Sequence, residues 1–231
     1  MFVPVFDDNP LKSIRFQSVT VTLIVVNALV FLLETGGLTQ QAIASFAVVP
    51  TELFSRGSLL VAVPVHERIA VPEQLTLLTY MFFHGDIFHL LSNMIFLWVF
   101  GDNVEDALGH FNFLVFYLAC GVIAGLTHAL MMPTSPLPLI GASGAIAGVI
   151  AAYIMLYPRV KVWVLAFRFI PLRVSAALVL GLWIATQLFM VFVAEAGPVA
   201  WWAHIGGLVA GAVLVLFMRR AGVVLFDRRT A

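Results

Sequence analysis

Six apolar segments limit what this chain can become. Their cores run from Val19 to Leu33, Ile87 to Phe100, Phe111 to Met132, Ser143 to Tyr157, Val174 to Val193 and Val199 to Met218. A helix that crosses a bilayer needs about 20 residues, and in hydrocarbon only helices and closed barrels satisfy their own backbone. Charged residues make up 10% of the chain and hydrophobic ones 62%, whereas soluble domains carry about 25% charge. The expected fold is therefore an all-α membrane protein with six transmembrane helices. The second segment is short and is expected to be completed by Leu77 to Phe83 or by tilt. With no internal repeat, residues 1–231 read as a single domain, with a helical core from about 16 to 218 and short tails at 1–15 and 219–231.

Charge sets the orientation. Lys12 and Arg15 precede the first segment, Arg159, Lys161, Arg168 and Arg173 lie between the fourth and fifth, and Arg219, Arg220, Arg228 and Arg229 follow the sixth. Six crossings put all of these on one side and leave Arg56 and Arg68 on the other. Basic loops stay in the cytoplasm, so both termini are expected there. The N-terminal segment lacks a small-residue cleavage site after its apolar run and reads as a retained helix. The first external connection, Glu34 to about Thr76, carries apolar patches at Phe46–Val49 and Leu59–Val65 broken by Pro50, Pro64 and Pro72. It is expected to be a partly ordered excursion along the interface. A net charge of zero gives no argument for a nucleic-acid partner. Cys120, the lone cysteine, excludes an intrachain disulfide and reads as a small buried hydrophobe.

This orientation gathers polar residues into one layer. Ser143 opens the fourth segment, His89 lies near the start of the second, and His204 lies a few residues into the sixth. All three belong to the outer leaflet, and Asn93 shares a helical face with His89, one turn deeper. Ser143 to Tyr157 spans about 22 Å at 1.5 Å per residue, less than the hydrocarbon thickness of about 30 Å. Ser143 is thus recessed below the outer surface. The approach to it, Pro133 to Pro138, cannot be regular helix, and irregular backbone at that depth must be buried in protein or line a wet cavity.

A recessed hydroxyl reached by water suits nucleophilic catalysis. The nucleophile needs a base within hydrogen-bond reach and donors aimed at a developing oxyanion. Ser143 is the nucleophile candidate and His204 the base. No carboxylate lies at matching depth near His204, which points to a dyad. His89, Asn93 and the Ser143 backbone N–H are the oxyanion-hole candidates. Gly144 and Gly148, and Gly207 and Gly211, form two small-xxx-small faces along which segments four and six can pack closely, bringing Ser143 and His204 to one end of the crossing. His84 and His128 read as structural, His66 and His110 as solvated. Asp102, Glu105 and Asp106 read as caps or ties at the opposite face, and Trp183, Phe189, Phe192, Trp201 and Trp202 as lipid-facing or belt residues. His66-Glu67-Arg68-Ile69-Ala70 lacks the second histidine of a zinc-protease motif, and no paired intramembrane aspartates are present. Neither metal nor organic cofactor is expected.

The combination of Gly141-Ala142-Ser143-Gly144-Ala145, Ala203-His204-Ile205-Gly206-Gly207 and His89-Leu90-Leu91-Ser92-Asn93 resembles the rhomboid intramembrane serine proteases. Thr79 to Phe82, His84 and Phe100 to Asp106 add to the likeness, which runs from segment one through segment six. The resemblance implies a six-helix rhomboid fold with a membrane-embedded first loop and an endopeptidase that cuts transmembrane helices through an acyl-enzyme. Ser143 matches the family's nucleophile, His204 its base, and His89 and Asn93 its oxyanion residues. The implied partners are single-pass transmembrane substrates and membrane lipid, with the oligomeric state left open. The minimal six-helix form without a targeting signal points to a bacterial plasma membrane, and the charge-based orientation opens the active site to its external face. A rhomboid-like protein that escorts membrane clients without cutting them is the alternative. The family's Trp-Arg pair in the first loop is replaced here by Leu75-Thr76, which leaves the role of that loop open.

Overall fold

The computed structural model describes residues 2–54, 71–166, 169–193 and 199–227. Five of its helices are long and apolar enough to cross a membrane: α1 (Ser18–Leu33), which with the turn after it makes a span reaching Gly36, α5 (Ile87–Leu108), α6 (His110–Met131), α8 (Ala176–Val193) and α9 (Trp201–Met218). A sixth apolar helix, α7 (Ser143–Leu156), has only 14 residues. It packs against α5, α6, α8 and α9, and every residue from Gly144 to Tyr153 is buried. A short helix can sit at the centre because its neighbours, rather than lipid, cover its ends.

The second segment completes itself in the direction opposite to that expected. Asp86 caps α5 at its start by accepting from the N–H groups of Phe88 (2.8 Å) and His89 (2.9 Å). The helix then runs on through the acidic stretch to Leu108, where Gly109 at φ 86° turns the chain into α6. Leu77 to Phe83 is not part of it. That stretch contributes to α4 (Glu73–Thr79) and a 3-10 turn at Tyr80–Phe82. Earlier in the same connection, a π-helical turn at Glu34–Leu38 leads into α2 (Thr39–Phe46) and α3 (Pro50–Phe54). The excursion is thus mostly helical where it is described, apart from residues 47–49 and 71–72; the Leu59–Val65 patch, Pro64, Arg56, His66 and Arg68 lie outside the described residues. Thr76 is buried and donates to the Glu73 carbonyl at 2.6 Å, while Leu75 is exposed.

An all-α expectation misses one element. β1 (Phe2–Asp7), β2 (Lys161–Ala166) and β3 (Ile170–Ser175) form an antiparallel sheet in that order. Val162, Val164 and Ala166 are buried while Lys161 is exposed and Trp163 and Leu165 are partly so, the period-2 alternation of a half-buried strand. Residues 170–175, part of which reads as the start of a helix by hydropathy, are therefore strand.

The sheet marks one end of the molecule. Asp106 accepts from the backbone N–H groups of Lys12 (3.0 Å), Ser13 (2.7 Å) and Ile14 (2.7 Å). Glu105 accepts from Val19 N–H (3.0 Å), Thr20 N–H (2.8 Å) and the Thr20 hydroxyl (2.7 Å), capping α1. Arg220 N–H reaches the Ala107 carbonyl, and Asp227 N–H the Leu156 carbonyl. The basic ends of the chain, the α5–α6 corner and the end of α7 thus meet on one side. Arg168, Arg228 and Arg229 lie outside the described residues. A cavity of about 660 Å³, lined by Lys12, Asp106, Tyr157, Arg220 and Phe226 among others, opens there as well. Ser143 lies at the other end of α7.

Candidate active site

The site is built where α7 begins. Its approach is irregular but not loose: Leu139 pairs with Val48 through two backbone hydrogen bonds, and Gly141 N–H donates to the Tyr80 carbonyl at 3.0 Å. Gly141 adopts φ 118°, a conformation that L side chains rarely take, and a Cβ there would lie 2.7 Å from the His89 ring. A glycine is needed on both counts. Two residues later Ser143 starts the helix.

Close approach of α7 and α9 fixes what Ser143 faces. A Cβ at Gly207 would fall 1.9 Å from the Gly144 carbonyl oxygen, and one at Gly211 2.2 Å from that of Gly148. The two small-xxx-small faces therefore meet backbone to backbone. Gly148 also packs against the buried Cys120, whose sulfur would lie 2.4 Å from a Cβ there. At the Ser143 end of this crossing His204 Nε2 stands 2.9 Å from Ser143 Oγ, a hydrogen bond between two side chains 61 residues apart.

His204 is held on every side. Its Nδ1 lies 2.7 Å from Gln187 Oε1 on α8. The rings of Trp183 and Trp201 pack on it, with centroids at 5.8 and 6.1 Å. These two tryptophans are therefore part of the site rather than lipid-facing belt residues, whereas Phe189 and Phe192 are exposed on α8. Gln187 is absent from the sequence reading altogether. Its signal was available: an amide inside an apolar span is expensive unless it is satisfied.

Beside the approach to Ser143, α5 brings His89 against Gly141, with Asn93 one turn further along the same helix. Asn93 is buried, and its Nδ2 has no partner among the described protein atoms. A buried amide donor left without a partner is a group waiting for an acceptor. His84 is buried beside His89, ring centroids 5.1 Å apart. His128 closes the last turn of α6. His110 is not merely solvated: its Nδ1 lies 2.5 Å from Glu105 at the opposite end of the molecule. Glu105 and Asp106 there tie backbone, as described above, whereas Asp102 accepts from its neighbour Asn103. Among the described residues no group of three or more His, Cys, Asp or Glu side chains could hold a metal ion.

The arrangement offers a serine hydroxyl bonded to an imidazole, a buried amide donor one turn below His89 on α5, and an irregular backbone approach at the start of α7. The Rhomboid domain family model matches residues 72–221, which contain all of these groups. The chain is 31% identical over 155 residues to RHOMBOID-like protein 12, mitochondrial, of Arabidopsis thaliana, covering 60% of this chain and 44% of that one. It is 28% identical over 161 residues to Rhomboid protein 1, mitochondrial, of Saccharomyces cerevisiae, covering 65% and 44%. Over 84 residues it is 37% identical to Rhomboid-like protein 11, chloroplastic, of Arabidopsis thaliana, covering 36% and 30%. The chain thus spans less than half the length of these relatives.

Proposed function

Because this chain belongs to the rhomboid family, whose domain model covers more than half of it, we propose that it is an intramembrane serine endopeptidase acting on single-pass transmembrane proteins. The observation that carries the proposal is the 2.9 Å contact between Ser143 Oγ and His204 Nε2 at the recessed start of α7.

In this reading Ser143 Oγ attacks the scissile carbonyl carbon while its proton passes to His204 Nε2. The carbonyl oxygen becomes an oxyanion, held by the Asn93 amide, His89 and the Ser143 backbone N–H. Losing one such donor costs about 3 to 4 kcal/mol of transition-state stabilisation. Collapse of the tetrahedral adduct breaks the C–N bond, and the imidazolium proton goes to the departing amine. Water entering from the outer side then attacks the acyl-enzyme, His204 takes its proton, and the acid product and the Ser143 hydroxyl are released. A substrate helix must unwind locally first, because its own hydrogen bonds and side chains shield the carbonyl from Ser143.

The orientation that accompanies this reading puts both termini in the cytoplasm and Ser143 toward the external face of a bacterial plasma membrane. The clustering of basic residues at the sheet end supports the sidedness. The relatives carry mitochondrial and chloroplastic names, so the bacterial assignment rests on the sequence alone. To test the activity, the protein is reconstituted in liposomes with a transmembrane test substrate. Wild type is expected to release two fragments, and Ser143→Ala and His204→Ala none. Undiminished cleavage by either variant would remove the dyad, and an intact substrate with wild type would favour a client-binding protein without protease activity.

A further inference from the structure

Gln187 is the one buried polar side chain on a helix that otherwise shows much of its surface. Leu182, Leu188 and Phe189 around it are exposed, while Gln187 is 4% exposed. Its amide makes two contacts. Nε2 donates to the Trp183 carbonyl at 3.0 Å, one turn back on α8, and Oε1 lies 2.7 Å from His204 Nδ1.

These contacts settle the protons by elimination. A backbone carbonyl only accepts, so the NH₂ end of the amide must face Trp183 and the oxygen must face His204. That oxygen also only accepts, so Nδ1 must carry the imidazole proton. In a neutral ring the lone pair then lies on Nε2, the nitrogen 2.9 Å from Ser143 Oγ. The other tautomer would turn an N–H toward the serine and two lone pairs toward each other at Nδ1 and Oε1. Once His204 has taken the serine proton, the Nδ1–H bond to Oε1 becomes charge-assisted and strengthens. A neutral amide does this without placing a second charge in the membrane.

We propose that Gln187 is a positioning residue that fixes the tautomer and orientation of His204, and that α8 thereby controls whether the base is competent. The same helix supplies Trp183, whose ring packs on His204. A displacement of α8 away from α9 removes the acceptor and one wall of the histidine's enclosure together, and leaves the α7–α9 contact untouched. This inference rests on the serine-protease reading for its consequence but not for its geometry.

The test combines a spectroscopic and a kinetic readout. The full chain, labelled with ¹⁵N-histidine and reconstituted in nanodiscs, is compared with Gln187→Leu, Gln187→Met and Gln187→Glu, the His204 signals being assigned by their loss in His204→Ala. Wild type is expected to show the Nδ1–H tautomer at His204, and the Leu and Met variants to lose that preference. With the transmembrane test substrate, both are expected to lower kcat roughly 10- to 100-fold, the scale set by losing the hydrogen-bond partner that orients a functional histidine, with KM within about twofold. Gln187→Glu keeps an acceptor and is expected to recover activity relative to Gln187→Leu while moving the acidic limb of kcat to higher pH, because a carboxylate favours the imidazolium. If the Leu variant does not fold, the Met variant, of similar length and flexibility, carries the same expectation. Unchanged tautomer signals with kcat within twofold of wild type in the folded apolar variants would overturn the inference. A wild type that cleaves nothing but whose His204 tautomer follows residue 187 would overturn the protease reading and leave the positioning role standing.

Discussion

The two helices that hold His204 do so by opposite means. α9 meets α7 through glycines, with a Cβ at Gly207 or Gly211 running into carbonyl oxygens 1.9 and 2.2 Å away. α8 reaches the same histidine from a largely exposed position, through one amide and one tryptophan ring. Backbone contact at the crossing leaves no room for an added atom unless the helices shift, and it sets the distance between nucleophile and base. The contact from α8 sets the direction of the base and is made by side chains that can leave. Placement belongs to one helix pair and competence to the third helix.

The largest effect is expected where the crossing is broken. Gly207→Leu forces α7 and α9 apart, and overpacking of this kind costs about 1 to 3 kcal/mol or more; the melting temperature drops and substrate cleavage disappears. Gly211→Ala, one turn further in, lowers the melting temperature less and leaves weak cleavage. Next comes Gln187→Leu, which acts on competence rather than placement: kcat falls while the thermal transition stays near that of wild type. If its loss of activity tracks a loss of stability, the division between the two helices fails.

Smaller effects mark the limits of the comparison. Phe192, 85% exposed on α8, is expected to change stability by no more than about 0.5 kcal/mol on replacement by Ala, measured by thermal unfolding in detergent. A pH-dependent effect lies at the far end of α7, where the Tyr153 hydroxyl donates to Asp7 of β1. Burial pushes the Asp7 carboxyl up to about 7, against the lowering influence of that hydrogen bond. An unfolded aspartate titrates near 3.9, so the folded chain keeps a proton that the unfolded chain has lost. The stability contributed by that proton is complete below about pH 4 and declines as pH rises toward about 7. Melting temperatures taken across this window are expected to show the decline in wild type and a flatter profile in Asp7→Asn.

The regions that were legible in the sequence are those whose signals are local. Apolar runs marked four of the five long helices to within a few residues but stopped α5 at Phe100, eight residues short of Leu108, because its last two turns are acidic and polar; basic residues marked one end, and the glycine spacings marked the α7–α9 crossing. Ser143 and His204 could be placed at one depth because a short helix and an orientation are both countable. Where two local signals compete, the reading failed. Val174 and Ser175 continue into an apolar run and so read as helix, although pairing with Lys161 and Val162 makes them strand. Trp183 and Trp201 resemble belt residues because nothing in a sequence shows that an imidazole lies between them. Gln187 has no partner nearby except Trp183, and its bond to His204 depends on how α8 packs, which no periodicity encodes.

Labelling with a fluorophosphonate reads out whether His204 activates Ser143. The reagent needs an activated serine and no substrate, and mass spectrometry identifies the modified residue. Covalent modification is expected at Ser143 in wild type, and its loss in His204→Ala with the fold intact. No labelling of folded wild type, or equal labelling of Ser143 without His204, would contradict that activation.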